Sequence, residues 1–153
     1  MTERQPTQTP LRNTKGQSTL MRMGILGGVL VAFALRLLNL GSSSLWYDES
    51  VSAFLAQQKL SVLLKHTAGD IHPPGYYLLL HLWQSLVVLP APAPGFEFLL
   101  AWPSLVFGML LVALTYAVGR RLFESTVALL ALGLAAVQPF EIWYSQEVRM
   151  YTL

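Results

Sequence analysis

The sequence predicts an all-α, multi-pass transmembrane fold with short juxtamembrane helices in its first outer loop. Three observations predict it. Of the 153 residues, 54% are hydrophobic and only 12% are charged, with a mean hydropathy of +0.49, against roughly 25% charged in an average soluble domain. Apolar runs close to bilayer length recur along the chain. Polar or helix-breaking stretches separate them: Gly41-Ser42-Ser43-Ser44, His72-Pro73-Pro74-Gly75, Pro90 to Gly95 and Gly119-Arg120-Arg121. The formal charge of +2 is too small and dispersed for a nucleic-acid partner and reads as a topology signal. The absence of cysteine excludes disulfides and thiolate metal sites.

Residues 1–22, rich in Thr, Gln and Pro, read as a disordered cytoplasmic tail. Arg4, Arg12, Lys15 and Arg22 outnumber the single Glu3 and hold it inside. Residues 23–153 read as one membrane domain. Met23–Leu40 is the first transmembrane segment; its 18 residues span roughly 27 Å as a helix. Arg36 near its outer end has two readings, snorkelling to the interface or an inward anchor for an acid or a phosphate. Residues 45–74 form an outer loop, in which Ser50–Leu64 has helical apolar spacing and predicts one interfacial helix, with Asp48 able to cap it.

Tyr76–Leu89 predicts a juxtamembrane or short embedded helix. Residues 98–118 and 126–140 are further transmembrane segments, and 141–153 an outer segment. A parity argument fixes the middle of this scheme. Charge bias places the tail and Arg120–Arg121 on the same side, so an even number of crossings separates them. Tyr76–Leu89 is the weakest of the three intervening runs, because it is short and carries His81, Trp83 and Gln84.

That topology sends three polar clusters to the outer face. Asp48 and Glu49 are adjacent acids at a membrane exit. Holding both charges near lipid is costly unless a cation or a metal compensates. They read either as an ordinary acidic loop or as a general base with a ligand or orienting group. His72 is stiffened by Pro73 and Pro74. It reads either as part of a loop that aims the next helix or as an imidazole held near Asp48 to bind a phosphate or a metal. Glu147, Arg149 and Tyr151 close the chain, as interfacial belt residues or as a second acid facing Asp48 with a guanidinium suited to phosphate. In a helix, Glu147 and Tyr151 would share a face and Arg149 would point elsewhere. His66 and His81 read as incidental interface residues.

Taken together, Tyr47-Asp48-Glu49, His72-Pro73-Pro74-Gly75-Tyr76-Tyr77, Gly119-Arg120-Arg121-Leu122-Phe123 and Pro139-Phe140-x-x-Trp143-Tyr144-Ser145-Gln146-Glu147-x-Arg149-Met150-Tyr151 resemble the amino-terminal part of a GT-C glycosyltransferase. The closest groups are the dolichyl-phosphate-mannose protein mannosyltransferases and transferases similar to the lipid A aminoarabinose transferase. The resemblance implies a cell-membrane enzyme with its site on the extracytoplasmic face. Its donor would be a polyprenyl-phosphate sugar, and its acceptor a protein, lipid or glycan. Asp48 would be the catalytic acid, with Glu49 completing its motif. Glu147 would hold the place of a second acidic region, beside Arg149 and Tyr151. A divalent metal is a possible cofactor. The chain would be an amino-terminal piece of a longer protein, inactive alone. The alternatives are a transporter or channel subunit, or a membrane fragment without chemistry.

Overall fold

The computed structural model describes residues 14–69, 72–87 and 95–152. Among them every regular element is helical: α1 (Thr14–Leu37), α2 (Tyr47–Gln57), α3 (Leu60–Ala68), α4 (Gly75–Val87), α5 (Phe96–Leu122), α6 (Ser125–Val137), α7 (Pro139–Tyr144) and a closing 3₁₀ turn at Met150–Thr152.

Two helices are long and apolar enough to cross a bilayer, the 20 residues Ser18–Leu37 of α1 and the 27 residues of α5. With α6 they form the main bundle, α1 and α6 running parallel and α5 antiparallel to both. Small residues on α1 let α6 in closely: Gly24 faces Leu129, Gly28 faces Leu132, and Ala32 is fully buried between the helices. The outward faces are apolar instead, with Leu26, Leu30 and Phe33 on α1, Leu110, Leu114 and Val118 on α5, and Leu130 and Leu134 on α6 all exposed. Apolar outside and small inside is the pattern of helices that meet lipid rather than water.

The helix boundaries depart from those expected. Residues 14–22, read as tail, are the first turns of α1, and α1 ends at Leu37 rather than Leu40. Residues 1–13 lie outside the described residues. The single helix expected over Ser50–Leu64 is two, α2 and α3, broken at Gln58–Lys59. α2 starts early, at Tyr47, so Asp48 lies in its first turn and Trp46 holds the cap position. Acids in a first turn sit at the positive end of the helix dipole. The run read as crossing over 126–140 divides at Pro139 into α6 and α7. The 13 residues of α6 extend about 20 Å, short of a bilayer core of about 30 Å. Gln138 starts α7, its side-chain oxygen accepting the N–H of Phe140 at 2.7 Å.

A proline explains one tertiary contact of α4. Pro103 lies inside α5 and has no N–H for the carbonyl of Leu99 four residues earlier. Trp83 of α4 supplies the missing donor, its indole N–H reaching Leu99 O at 2.7 Å. His81, read as incidental, also has a structural partner, Nδ1 lying 2.7 Å from Ala56 O on α2. Gln84 Nε2 adds a longer bond of 3.4 Å to Ala53 O. The polar residues of α4 that argued against a crossing are therefore paired within the fold, His81 and Gln84 with α2 and Trp83 with α5. Residues 88 and 89 of that segment lie outside the described residues.

Candidate functional site

The start of α2 and residues 145–152 meet at the end of the bundle where α1 and α6 finish and α5 begins. Two contacts join them. The Val148 N–H donates to Glu49 Oε1 at 2.8 Å, and Arg149 Nη2 lies 3.7 Å from Asp48 Oδ2. The other Glu49 oxygen accepts the Trp46 N–H at 3.2 Å, half of the reciprocal arrangement found in capping boxes. Glu49 thus splits its two oxygens between the start of its own helix and a backbone amide 99 residues away. Both groups are buried.

Residues 145–149 are not helical, which overturns the expected facing of Glu147 with Tyr151. Arg149 turns inward instead. Its guanidinium lies 5.5 Å from the centre of the Tyr151 ring, and Nη2 approaches the phenol oxygen at 3.5 Å. Its Nε is buried with no hydrogen-bond partner. Burial alone would lower the Arg149 pKa, but the Tyr151 hydroxyl and the Asp48 carboxylate outweigh it and hold it above its ordinary value. Behind it, the Arg149 carbonyl accepts from Ser104 Oγ at 3.4 Å, and Ser104 Oγ pairs with the buried Tyr76 hydroxyl at 2.9 Å. The residue set against Asp48 is therefore Arg149, not Glu147 as expected.

Glu147 lies on the other side of Glu49, in a cleft of about 370 Å³ lined by Ser42–Ser44, Trp46, Glu49, Glu97, Trp143 and Glu147. Burial raises the Glu147 carboxyl above its ordinary value and the nearby Glu49 adds to the rise; Arg149 and a Trp143 hydrogen bond oppose it. The loop that walls this cleft turns through left-handed backbone at Asn39 and Gly41 (φ 65° and 68°). A Cβ on Gly41 would overlap the backbone nitrogen of Phe98, so conformation and space both require glycine there. His72 is half-buried in the connection before α4, beside residues 70 and 71, which are outside the described residues. Among the described residues no group of three His, Cys, Asp or Glu side chains is placed to hold a metal ion.

Three residues important to this geometry were not singled out, or were read differently, from the sequence. Arg36 does not snorkel to the interface but faces inward, as the second of its two readings had it, and the groups it holds are backbone carbonyls and Ser145. It is fully buried, and its guanidinium donates to Ala136 O and Ala135 O at 3.1 Å each, to Ala32 O at 3.3 Å and to Ser145 Oγ at 3.2 Å. Pro139 explains the need: it cannot donate to Ala135 O, and the Phe140 N–H is taken by Gln138. Gln146 does the converse for α1, its Nε2 reaching Leu38 O at 2.6 Å and Arg36 O at 3.2 Å, among the carbonyls that a helix end leaves unpaired. Glu97 joins Glu49 and Glu147 in the cleft. A charged residue inside an apolar run was the signal available for Arg36; nothing in the local sequence marks Glu97.

No protein-family model, curated protein sequence or solved structure matches this chain. Among the described residues, fold and site together define an all-helical arrangement with two helices long and apolar enough to span a bilayer and a buried acid–arginine cluster at one end of the bundle.

Proposed function

We propose that this chain forms the amino-terminal part of an integral-membrane glycosyltransferase, which moves a sugar from a polyprenyl-phosphate donor to an acceptor hydroxyl on the extracytoplasmic face. One observation carries the reading: Asp48 and Arg149, separated by the rest of α2 and by α3 to α7, come within 3.7 Å of each other. The 2.8 Å bond from Val148 to Glu49 holds the pair in place. The resemblance of the surrounding motifs supplies the reaction class. The acidic end of the bundle lies opposite Arg120 and Arg121 at the α5–α6 turn, the charge asymmetry of an outward-facing site.

The chemistry suits the residues. Asp48 is half-exposed and its ion pair is long, which leaves the carboxylate available to an incoming hydroxyl. As the bond between the anomeric carbon and the phosphate oxygen breaks, its electron pair leaves with the lipid phosphate. The acceptor oxygen bonds to the anomeric carbon from the opposite face and its proton passes to Asp48. Arg149, charged and with an unpaired buried Nε, faces the developing phosphate charge. Glu49 holds Val148 and so acts through position. Tyr151 keeps the guanidinium plane in place, and Glu147 faces the neighbouring cleft.

The test is transfer by the complete protein with a panel of polyprenyl-phosphate sugars. Asp48→Asn is expected to abolish turnover while the protein folds normally. Near-normal turnover removes Asp48 from this role, and no turnover by the unsubstituted protein with any donor counts against the enzyme.

A further inference from the structure

We propose that Arg36 is a positioning residue for the outer site: it sets the place of the Glu147–Arg149 segment by tying Ser145 to the ends of α1 and α6. The Asp48–Arg149 and Glu49–Val148 contacts both depend on where residues 147–149 run, because each uses an atom of that segment. The segment has no helical ladder of its own. Its upstream anchor is the pair Ser145 and Gln146, and both are held from α1. Ser145 Oγ accepts from Arg36 Nε at 3.2 Å and itself donates to Glu141 O. Gln146 Nε2 donates to the Arg36 and Leu38 carbonyls. The same guanidinium bonds the carbonyls of Ala135 and Ala136 in the last turn of α6. One buried side chain therefore fixes three elements at once, and the active segment leaves directly from that point.

Gly108 of α5 completes the device. A Cβ there would overlap Ser145 Oγ and lie 2.8 Å from Ser145 Cβ and 3.2 Å from Arg36 Nε. No larger residue leaves room for the tie. Burying a guanidinium is costly, and a leucine would fill α1 at less expense if packing were its only task. What the arginine adds is direction: its planar set of donors fits several acceptors in fixed positions, which a lysine ammonium cannot reproduce.

The kinetic arm of the test rests on the transferase reading, and the distance arm does not. In the full-length protein, paired cysteines at Ser50 and Thr152 carry spin labels, and the 153-residue segment contributes no cysteine of its own. Arg36→Lys and Gly108→Ala are expected to lengthen and broaden the 50–152 distance distribution in the folded fraction. Ser145→Ala removes the bonds to Arg36 and Glu141 but keeps the guanidinium in place, and does the same more weakly, which keeps the test open if the first two fail to fold. Turnover per folded molecule is expected to fall on the order of 100-fold in Arg36→Lys, the cost of a misplacement of about 1 Å. A purely structural role would lower the folded fraction and leave both the distance and the turnover per folded molecule unchanged, and that result overturns the proposal. Absence of turnover in the unsubstituted protein refutes the transferase reading and leaves the distance measurement to decide this one.

Discussion

Replacing Glu49 with alanine isolates the contact that brings the two ends of the chain together. Val148 is buried, and its N–H has Glu49 Oε1 as acceptor at 2.8 Å. Alanine leaves that N–H without a partner, a penalty of about 1–3 kcal/mol. At 1.4 kcal/mol per factor of ten, the Val148 amide should exchange with solvent roughly 5- to 150-fold faster. The loss of the Trp46 bond acts elsewhere, on the first turn of α2, and is worth about 0.5–2 kcal/mol by analogy with helix caps. Glu49→Gln is expected to lie between, since one amide oxygen serves one donor while its NH₂ faces the other. Residue-resolved hydrogen exchange on the detergent-solubilised protein measures each amide separately. Val148 exchanging at its original rate in Glu49→Ala, with the rest of the segment unchanged, would refute the reasoning that this carboxylate anchors residues 147–149.

Further outcomes follow from other contacts. Trp83→Phe strips the donor from Leu99 O and should cost about 0.5–1.5 kcal/mol in reversible unfolding; adding Pro103→Ala restores a backbone N–H, so the double variant should recover most of the loss. Gly28→Val brings a side chain into Leu132, while a Cβ on Gly27 meets open space. Overpacking should therefore destabilise the first by about 1–3 kcal/mol and spare Gly27→Val, as read by unfolding in mixed micelles. Because burial raises the Glu147 pKa, the native state holds that proton more tightly than the unfolded chain does. Its contribution is full in acid and is lost as pH rises through the raised native value. Glu147→Gln should be more stable than the unsubstituted protein at neutral pH, with the difference shrinking in acid; a pH-independent difference would count against this. Cysteine labelling at Ser125, beside Arg120, should occur from the cytoplasmic side, and labelling from outside alone would reverse the proposed orientation.

The helices were largely legible because apolar run length and polar punctuation are local properties. Met23 to Leu37 and Phe98 to Val118 lie within α1 and α5. Boundaries were less so. The polar tail gave no apolar period over residues 14–22, yet they extend α1, since helix can propagate outward from a long apolar segment once nucleated. Pro139 was visible, but the apolar residues around it concealed its effect, which is to end α6 and open α7. The site was legible as residue types. Asp48, Glu49 and Arg149 do come together. The pairing itself was not legible, because it depends on how residues 145–149 leave the helical path, where Ser145 and Gln146 meet Arg36 of α1 and Gly108 of α5.

The Glu49–Val148 bond also bears on how the protein is made. Its two ends are separated by 99 positions, so a nascent chain emerging from the ribosome carries the acid pair long before the amide and guanidinium that receive it. At about 5–20 residues per second, that interval lasts several seconds. Throughout it the carboxylates must stay hydrated, without the amide and guanidinium that later meet them. Assembly of this corner consequently waits until residues 148 and 149 have been made, and truncation anywhere before Val148 leaves it unfinished.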